Sequence, residues 1–124
     1  MTQEDKELLL KDLCARLPYG VKIQVPYEDG SGYFDEIVWE VNNDGPFHVN
    51  GWGIEYEYVK PYLFPLSSMT KGQENEYQYI TERWMYDPSY SISDSIDWLN
   101  KNHFDYRGLI EKGLAIDATG LSIY

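Results

Sequence analysis

The stretch VKIQVPYEDGSGYFDEIVWEV, residues 21–41, decides the fold class, because apolar and polar side chains alternate on both sides of a glycine-rich turn. In residues 21–25 the first, third and fifth positions are apolar, whereas Lys22 and Gln24 are polar. A period of two is that of a β-strand with one buried and one solvated face. Residues 28–32 are typical of a turn, so the stretch predicts two strands of an antiparallel hairpin.

The second strand, residues 33–41, alternates in the same way. We expect one face to be apolar, with Ile37, Trp39 and Val41. The other face would be solvated and carry two acids, with Glu36, Val38 and Glu40. Residues 42–46, NNDGP, predict another turn, and short strands follow at 47–49 and 54–59. Four short strands within residues 21–59 predict a small antiparallel sheet, with closure into an SH3-like barrel as an open alternative.

An amphipathic helix is predicted for residues 1–17. Thr2 and Asp5 have the spacing of a capping box, and Pro18 with Gly20 ends the helix. Apolar residues recur at helical spacing on one face: Leu9, Leu10, Leu13, Cys14 and Leu17. In this pattern Cys14 is a small core residue rather than a nucleophile.

The second half, residues 60–124, is predicted to be mostly helical and broken by turns. Residues 61–65, PYLFP, read as a rigid apolar linker. A helix over residues 71–85 is capped by Thr70 with Gln73. Its predicted buried face carries Tyr77, Ile80, Trp84 and, as an option, Tyr79. Ser93 is expected to cap a further short helix, and Asp105 a final turn. The whole chain, residues 1–124, is thus predicted to be one α+β domain.

The charge balance excludes several classes of function. The chain carries 21 acids against 10 lysines and arginines, a net charge of -11. Eight of these acids, and no lysine or arginine, lie between Lys22 and Lys60. Such a field repels phosphate, so direct nucleic-acid binding is not expected. The longest apolar runs are far shorter than the ~20 residues of a membrane span, and a lone cysteine suits a reducing cytoplasm.

The best catalytic candidate is a polar cluster of His103, Asp105 and Arg107, where a carboxylate and a guanidinium could gather near one imidazole. The alternative is structural: Asp105 caps a turn, Arg107 forms an ion pair and His103 follows a helix. We favour the structural interpretation, and therefore expect a protein that is not an enzyme. His48, in a predicted strand, is also interpreted as structural.

No metal or cofactor site is expected. The acidic turns at residues 28–32 and 42–45 lack the alternating oxygen ligands of a calcium-binding loop. Closely spaced cysteine and histidine pairs, and the glycine-rich nucleotide-binding motifs, are also missing from the sequence.

Three blocks of sequence carry a resemblance to a known family. They are LLLKDLCARLPYGVKI at 8–23, VKPYLFPLSSMT at 59–70 and DWLNKNHFDYRGLIEKGLA at 97–115. These blocks resemble a family of small prophage and mobile-element proteins of Bacteroides-type bacteria. The resemblance implies a bacterial cytoplasmic protein of phage or mobile-element origin, and it implies no activity, ligand or catalytic residue.

Twelve tyrosines and four tryptophans are a large aromatic content for this length. We expect Trp39, Trp98 and Tyr19 to lie in the core. Trp52, Tyr56, Tyr86 and Tyr90 are in turns, glycine breaks or near sheet edges, and are the candidate interaction surface. The favoured hypothesis is a protein-interaction module that binds a basic or amphipathic partner, with homo-oligomerisation through a sheet edge as a further option.

Two other classes remain as alternatives. An acidic protein could imitate DNA and inhibit a host nucleic-acid-binding protein, and a shared solvent face of four acids motivates this idea: Glu36, Glu40, Glu55 and Glu57. The other alternative is a small enzyme that uses the polar cluster.

Overall fold

A computed structural model describes residues 1–27, 29–42, 45–48 and 58–124, with the backbone alone for residues 39–42 and 45–48. The elements are α1 (Gln3–Arg16), β1 (Lys22–Pro26), β2 (Tyr33–Asn42), β3 (Gly45–His48), β4 (Lys60–Pro65), α2 (Lys71–Arg83), α3 (Ile92–Lys101), β5 (Phe104–Asp105) and β6 (Ile116–Asp117). A helix precedes a small sheet and further helices follow, so the predicted α+β class is confirmed.

The sheet is mixed, whereas the sequence predicted a purely antiparallel one. β1 pairs antiparallel with β2 and β4, and β2 pairs antiparallel with β3. The short strands β5 and β6 both pair parallel with β4. Because α2 and α3 carry the chain back between β4 and β5, the returning strand runs in the same direction as β4. Among the described strands β3 pairs with β2 alone, so an SH3-like barrel is not confirmed.

Helix α1 packs on the sheet and has the predicted capping box at Thr2 and Asp5. Leu9 and Leu13 are completely buried with the apolar side of β1. The other buried positions of the helix are Asp12 and Arg16, whereas Cys14 is exposed. The prediction of Cys14 as a core residue was therefore wrong. The buried stripe at positions 9, 12, 13 and 16 keeps helical spacing, but two charged residues occupy it because they pair with each other.

The orientation predicted for β2 was also wrong. Ile37 is 41% exposed and Val38 is 2% exposed, so the even-numbered side of the strand faces the core. The register explains this result, because Ile23 lies opposite Glu36, and directly opposed residues of an antiparallel pair point to the same face. Glu36 consequently lies on the core side and is half-buried. The side chains of Trp39 and Glu40 lie outside the described residues.

The predicted linker at residues 61–65 is in fact the strand β4, with neighbours on both sides. Its core-facing residue Leu63 is fully buried, and Tyr62 is 5% exposed on the opposite face. Pro61 lies opposite Ile23 at the last paired position of β1 and β4. The missing N–H of Pro61 does not break the pairing, because successive residues of a strand point their N–H groups to opposite sides and Pro61 points away from β1.

A second apolar cluster joins α2, α3 and β5. Trp98 is 8% exposed, as predicted for a core residue, and it stacks on Phe104 with ring centroids 5.7 Å apart. Tyr19, by contrast, is only half-buried. Thr70 and Gln73 form the predicted capping box of α2. The cap of α3 is Ser91 rather than the predicted Ser93, because Asp94 lies at the position that completes a capping box with Ser91.

None of the helices in the described ranges has the length and apolar character that crossing a membrane requires.

Candidate functional site

Four large side chains are exposed together at the end of α2 and in the turn that follows. They are Tyr79 (53% exposed), Trp84 (43%), Met85 (62%) and Tyr86 (79%). We call them the aromatic surface. Three of the four lie at consecutive positions just after the helix ends at Arg83. Aromatic residues and methionine are enriched at protein interfaces, and large exposed apolar side chains close together in the chain favour an interaction site.

The sequence prediction for this region was partly wrong. Tyr77 and Ile80 do pack against Trp98 and its neighbours, as expected for the inner face of α2. Trp84 and Tyr79 are exposed instead, because the helix ends one residue before Trp84 and Tyr79 points away from α3. The Asp87–Pro88 dipeptide disfavours a helix close before it. If this signal is used to place the end of the helix, Trp84 no longer belongs to the predicted buried face.

The turn that carries the aromatic surface is well fixed. The Asp87 N–H donates to the carbonyl of Arg83 (2.8 Å), and the Tyr90 N–H donates to the carbonyl of Asp87 (3.0 Å). The Asp87 carboxylate accepts from the N–H and the hydroxyl of Ser89 (2.9 and 2.7 Å). These hydrogen bonds from Ser89 stabilise the carboxylate and lower the pKa of Asp87. The surface is therefore presented on a defined backbone.

Arg83 lies beside the rings of Tyr79 and Tyr90, and its positive charge is paired with Asp87. Its guanidinium lies 5.1 Å from the ring centroid of Tyr79 and 5.8 Å from that of Tyr90, and Nη2 lies 3.8 Å from the Asp87 carboxylate. The guanidinium thus orders two of the rings through cation–π contacts. The acids of α2, Glu74, Glu76 and Glu82, are exposed. Of these acids, Glu82 lies in the last turn of α2 next to Arg83, so it is the one near the aromatic surface.

The predicted interaction residues fall into three groups. Tyr86 belongs to the aromatic surface, and Tyr90 is half-buried beside it. Glu36 is on the core side of β2. The others lie outside the described residues or, for Glu40, outside the described side chains: Trp52, Tyr56, Glu55 and Glu57.

The residues of the predicted polar cluster have separate structural roles. Asp105 accepts hydrogen bonds from the N–H groups of Leu109 and Ile110 (3.0 and 2.9 Å), which is the predicted cap. Arg107 forms the predicted ion pair, and its partner is Asp12 of α1 at 2.9 Å. This partner could not be inferred from local sequence patterns, because 95 residues separate Arg107 from Asp12.

Asp12 is the centre of a buried network that joins α1 to the segment after α3. Its carboxylate accepts from Arg16 Nε and from Arg107 Nη1, both at 2.9 Å. Arg16 is completely buried and also donates to the carbonyl of Phe104 at 2.6 Å. Arg107 donates to the Tyr106 hydroxyl at 2.8 Å. A buried carboxylate shared by two guanidiniums holds these elements together.

His103 is the third residue of the predicted polar cluster, and its side chain is buried rather than accessible to solvent. The residue is 8% exposed, and its ring stacks on that of Tyr124 with centroids 3.7 Å apart. Burial lowers the pKa of His103 to about 4, with the positive charges of Arg16 and Lys22 acting in the same direction. The imidazole is therefore neutral at physiological pH. In this conformation the Tyr124 ring covers the imidazole, which restricts the access of a substrate.

Within the described ranges, no group of three or more histidine, cysteine, aspartate or glutamate side chains is placed to hold a metal ion.

No protein-family model, curated protein or solved structure matches the chain. The resemblance to prophage and mobile-element proteins accordingly stays a prediction from the three sequence blocks.

Proposed function

We propose that the protein is a non-enzymatic interaction module that binds a basic or amphipathic protein through the aromatic surface. Exposure of Tyr79, Trp84, Met85 and Tyr86 on an ordered turn is the observation that supports this function. On the sequence resemblance, the module would be an accessory factor of a prophage or mobile element, acting in the cytoplasm. The exposed thiol of Cys14 suits a reducing compartment.

The charge around the aromatic surface selects the kind of partner. Glu82 is exposed in the last turn of α2, near the rings, and the guanidinium of Arg83 is already engaged by Asp87. The protein as a whole carries a net charge of -11. A partner with an apolar patch bordered by lysine or arginine would complement this surface, whereas an acidic one would be repelled.

Two observations favour this proposal over its alternatives. DNA mimicry was motivated by four acids on one solvent face, and the core-side position of Glu36 weakens that motivation. Catalysis by the polar cluster would need an accessible imidazole, and the ring of Tyr124 covers that of His103.

The test compares the wild-type protein with a Trp84→Ala/Tyr86→Ala variant. Affinity capture from host lysate, followed by mass spectrometry, identifies a partner, and the interaction is then measured with both purified proteins. Loss of two aromatic anchors should weaken binding at least tenfold, since such residues each contribute over 1 kcal/mol at interface centres.

Tyr33→Ala is the matched control, because Tyr33 is 64% exposed on β2 and lies outside the aromatic surface. All three proteins should give the same circular-dichroism spectrum. A purified partner that is acidic, or one that binds the double variant as tightly as the wild type, would rule out the aromatic surface as the binding site.

A further inference from the structure

Strand β4 changes partners part-way along its length. It pairs with β1 through Lys60 and Pro61, and with β5 from Phe64 onward. If the pairing with β1 continued by one residue, Lys22 would oppose Tyr62. The ladder stops there, and the hydroxyl of Tyr124 bridges the two strands instead: it accepts from the Lys22 N–H (2.8 Å) and donates to the Tyr62 carbonyl (2.9 Å).

The rest of the Tyr124 side chain is held by rings and a cation. Its ring lies nearly parallel to that of His103, at an interplanar angle of 9° and a centroid distance of 3.7 Å. The Phe64 ring centroid is 6.0 Å away, and Lys22 Nζ lies 5.7 Å from the Tyr124 centroid. We call this place the phenol slot. It accepts a flat ring whose far end both donates and accepts a hydrogen bond, which is the chemistry of a phenol.

Tyr62, whose carbonyl accepts from the Tyr124 hydroxyl, is itself held in place. The Tyr62 side chain donates its hydroxyl hydrogen bond to Asp35 and accepts one from Gln24 (3.2 Å). Burial, followed by the bond to Asp35, raises the pKa of Tyr62. Lys22 is paired with β2 and Tyr62 is paired with β6. These pairings hold both strands beside the Tyr124 hydroxyl, so the slot does not depend on Tyr124 alone for its shape.

By contrast, the segment that supplies Tyr124 has few other attachments. After β6, Leu121 is 50% exposed and Ser122 adopts a left-handed conformation (φ 54°). Two hydrogen bonds tie the backbone of residues 121–124 to the described residues around it: the Leu121 N–H donates to the Ala118 carbonyl (3.1 Å), and Lys22 Nζ donates to the Ile123 carbonyl (2.6 Å). Tyr124 itself keeps 42% of its surface accessible. The occupant of the slot is thus tied mainly by its own side chain.

The floor of the slot has an unusual histidine. His103 has a positive φ of 62°, a conformation that is uncommon outside glycine and in which asparagine, aspartate and histidine are the enriched residues. Its Nδ1 is buried and has no hydrogen-bond partner among the described residues. Unpaired buried polar atoms are uncommon in cores, and each one calls for an explanation such as a binding role.

We propose that the phenol slot is a recognition site for a tyrosine side chain, which Tyr124 fills in cis and a tyrosine of a protein partner fills when residues 121–124 lift away. The tail then acts as an internal competitor. A short tether gives its own ring an effective concentration in the millimolar range, so a partner's tyrosine enters only when it brings further contacts. The phenol slot and the aromatic surface lie on different elements of the fold. The proposal for the slot therefore does not depend on the aromatic surface.

The test uses the full chain with Tyr124→Ala, which empties the slot, and p-cresol as the probe. Titration by NMR should show p-cresol binding to the variant at least tenfold more tightly than to the wild type, with movement of the His103 ring signals. Toluene, which lacks the hydroxyl, should bind the variant at least tenfold more weakly than p-cresol. A free peptide of residues 118–124 should also bind the variant, and its Tyr124→Phe form should bind more weakly.

Equal binding of p-cresol and toluene, or binding that leaves the His103 signals unmoved, would overturn the proposal. If Tyr124→Ala is unfolded by itself, p-cresol must restore its circular-dichroism spectrum where toluene does not, and failure to do so counts against the slot equally. Tyr33→Ala, at an exposed tyrosine, is the control and should gain no affinity for p-cresol.

Discussion

His103 combines several features that each cost free energy of folding. It has a positive φ, an unpaired Nδ1 and a neutral ring near two cations. Burial is the main reason for its lowered pKa, and the Tyr124 ring stacked on it is part of that burial. The same contact that buries the imidazole therefore makes folding sensitive to acid.

The lowered pKa predicts a specific pH dependence. Below its ordinary pKa of 6.5, the histidine takes up a proton in the unfolded chain, but in the folded protein it does so only near pH 4. The free energy of unfolding should thus fall as pH drops from about 6.5 toward 4. We expect His103→Asn, which tolerates a positive φ, to remove about 1 kcal/mol of the loss seen between pH 7 and pH 5, after allowance for solvent screening.

Urea unfolding of both proteins at pH 8, 7 and 5 measures this effect. Between pH 8 and 7 the imidazole is mostly neutral in both states, so the two proteins should change alike. An equal loss of stability between pH 7 and 5 in wild type and variant would show that His103 is not the group responsible.

At the level of elements, α1 is unusual because two of its four buried positions are charged. The cost of burying Asp12 and Arg16 is offset by their mutual ion pair and by the second guanidinium, that of Arg107. Arg16 also donates to the carbonyl of Phe104 in β5. The network thereby joins α1 to a strand and a turn near the other end of the chain, and it orients the helix more specifically than apolar packing would.

We predict that Asp12→Ala destabilises the protein by about 3 to 5 kcal/mol, because it leaves two guanidiniums without their carboxylate. Cys14→Ala, an exposed position on the same helix, should change stability by less than about 0.5 kcal/mol. Chemical denaturation of both variants checks the difference. A cost for Asp12→Ala no larger than that of Cys14→Ala would mean that the network is not a stabilising feature.

At the level of the whole molecule, the net charge of -11 acts on encounters more than on the fold. A long-range negative field speeds the approach of a basic partner, and the apolar contact at the aromatic surface would hold it once bound. These two contributions can be separated by their response to salt, since screening affects exposed charges and leaves buried apolar contacts almost unchanged.

For the partner of the aromatic surface, we expect an increase from 0.05 to 0.5 M salt to slow association, while the dissociation rate stays within about twofold. Surface plasmon resonance with the purified partner measures both rates. A dissociation rate that rises tenfold or more with salt would instead favour binding dominated by charge, as in DNA mimicry.

The correct sequence predictions concern features that neighbouring residues define. Both capping boxes, at Thr2 and Thr70, formed as predicted because each joins residues three positions apart. The alternation in β1 correctly placed Val21 in the core, and the local position of Asp105 correctly predicted a cap. Of the candidate site, the exposure of Tyr86 was predicted from its place beside a turn.

Two incorrect predictions, the cap of α3 at Ser93 and the burial of Trp84, misread local signals, whereas the others concern contacts between distant parts of the chain. The face of β2 depends on its register with β1, and a shift of one residue reverses it, so Val38 and Glu36 could not be assigned from alternation alone. Asp12 looks like a solvated residue until Arg107 arrives from the far end of the sequence. Likewise, Tyr124 has a defined place only because β1, β4 and His103 come together around it. Local patterns thus specified the helices and strands, whereas the orientation of β2, the buried charges and the phenol slot arose from long-range pairing, whose energy depends on partners that no short stretch of sequence contains.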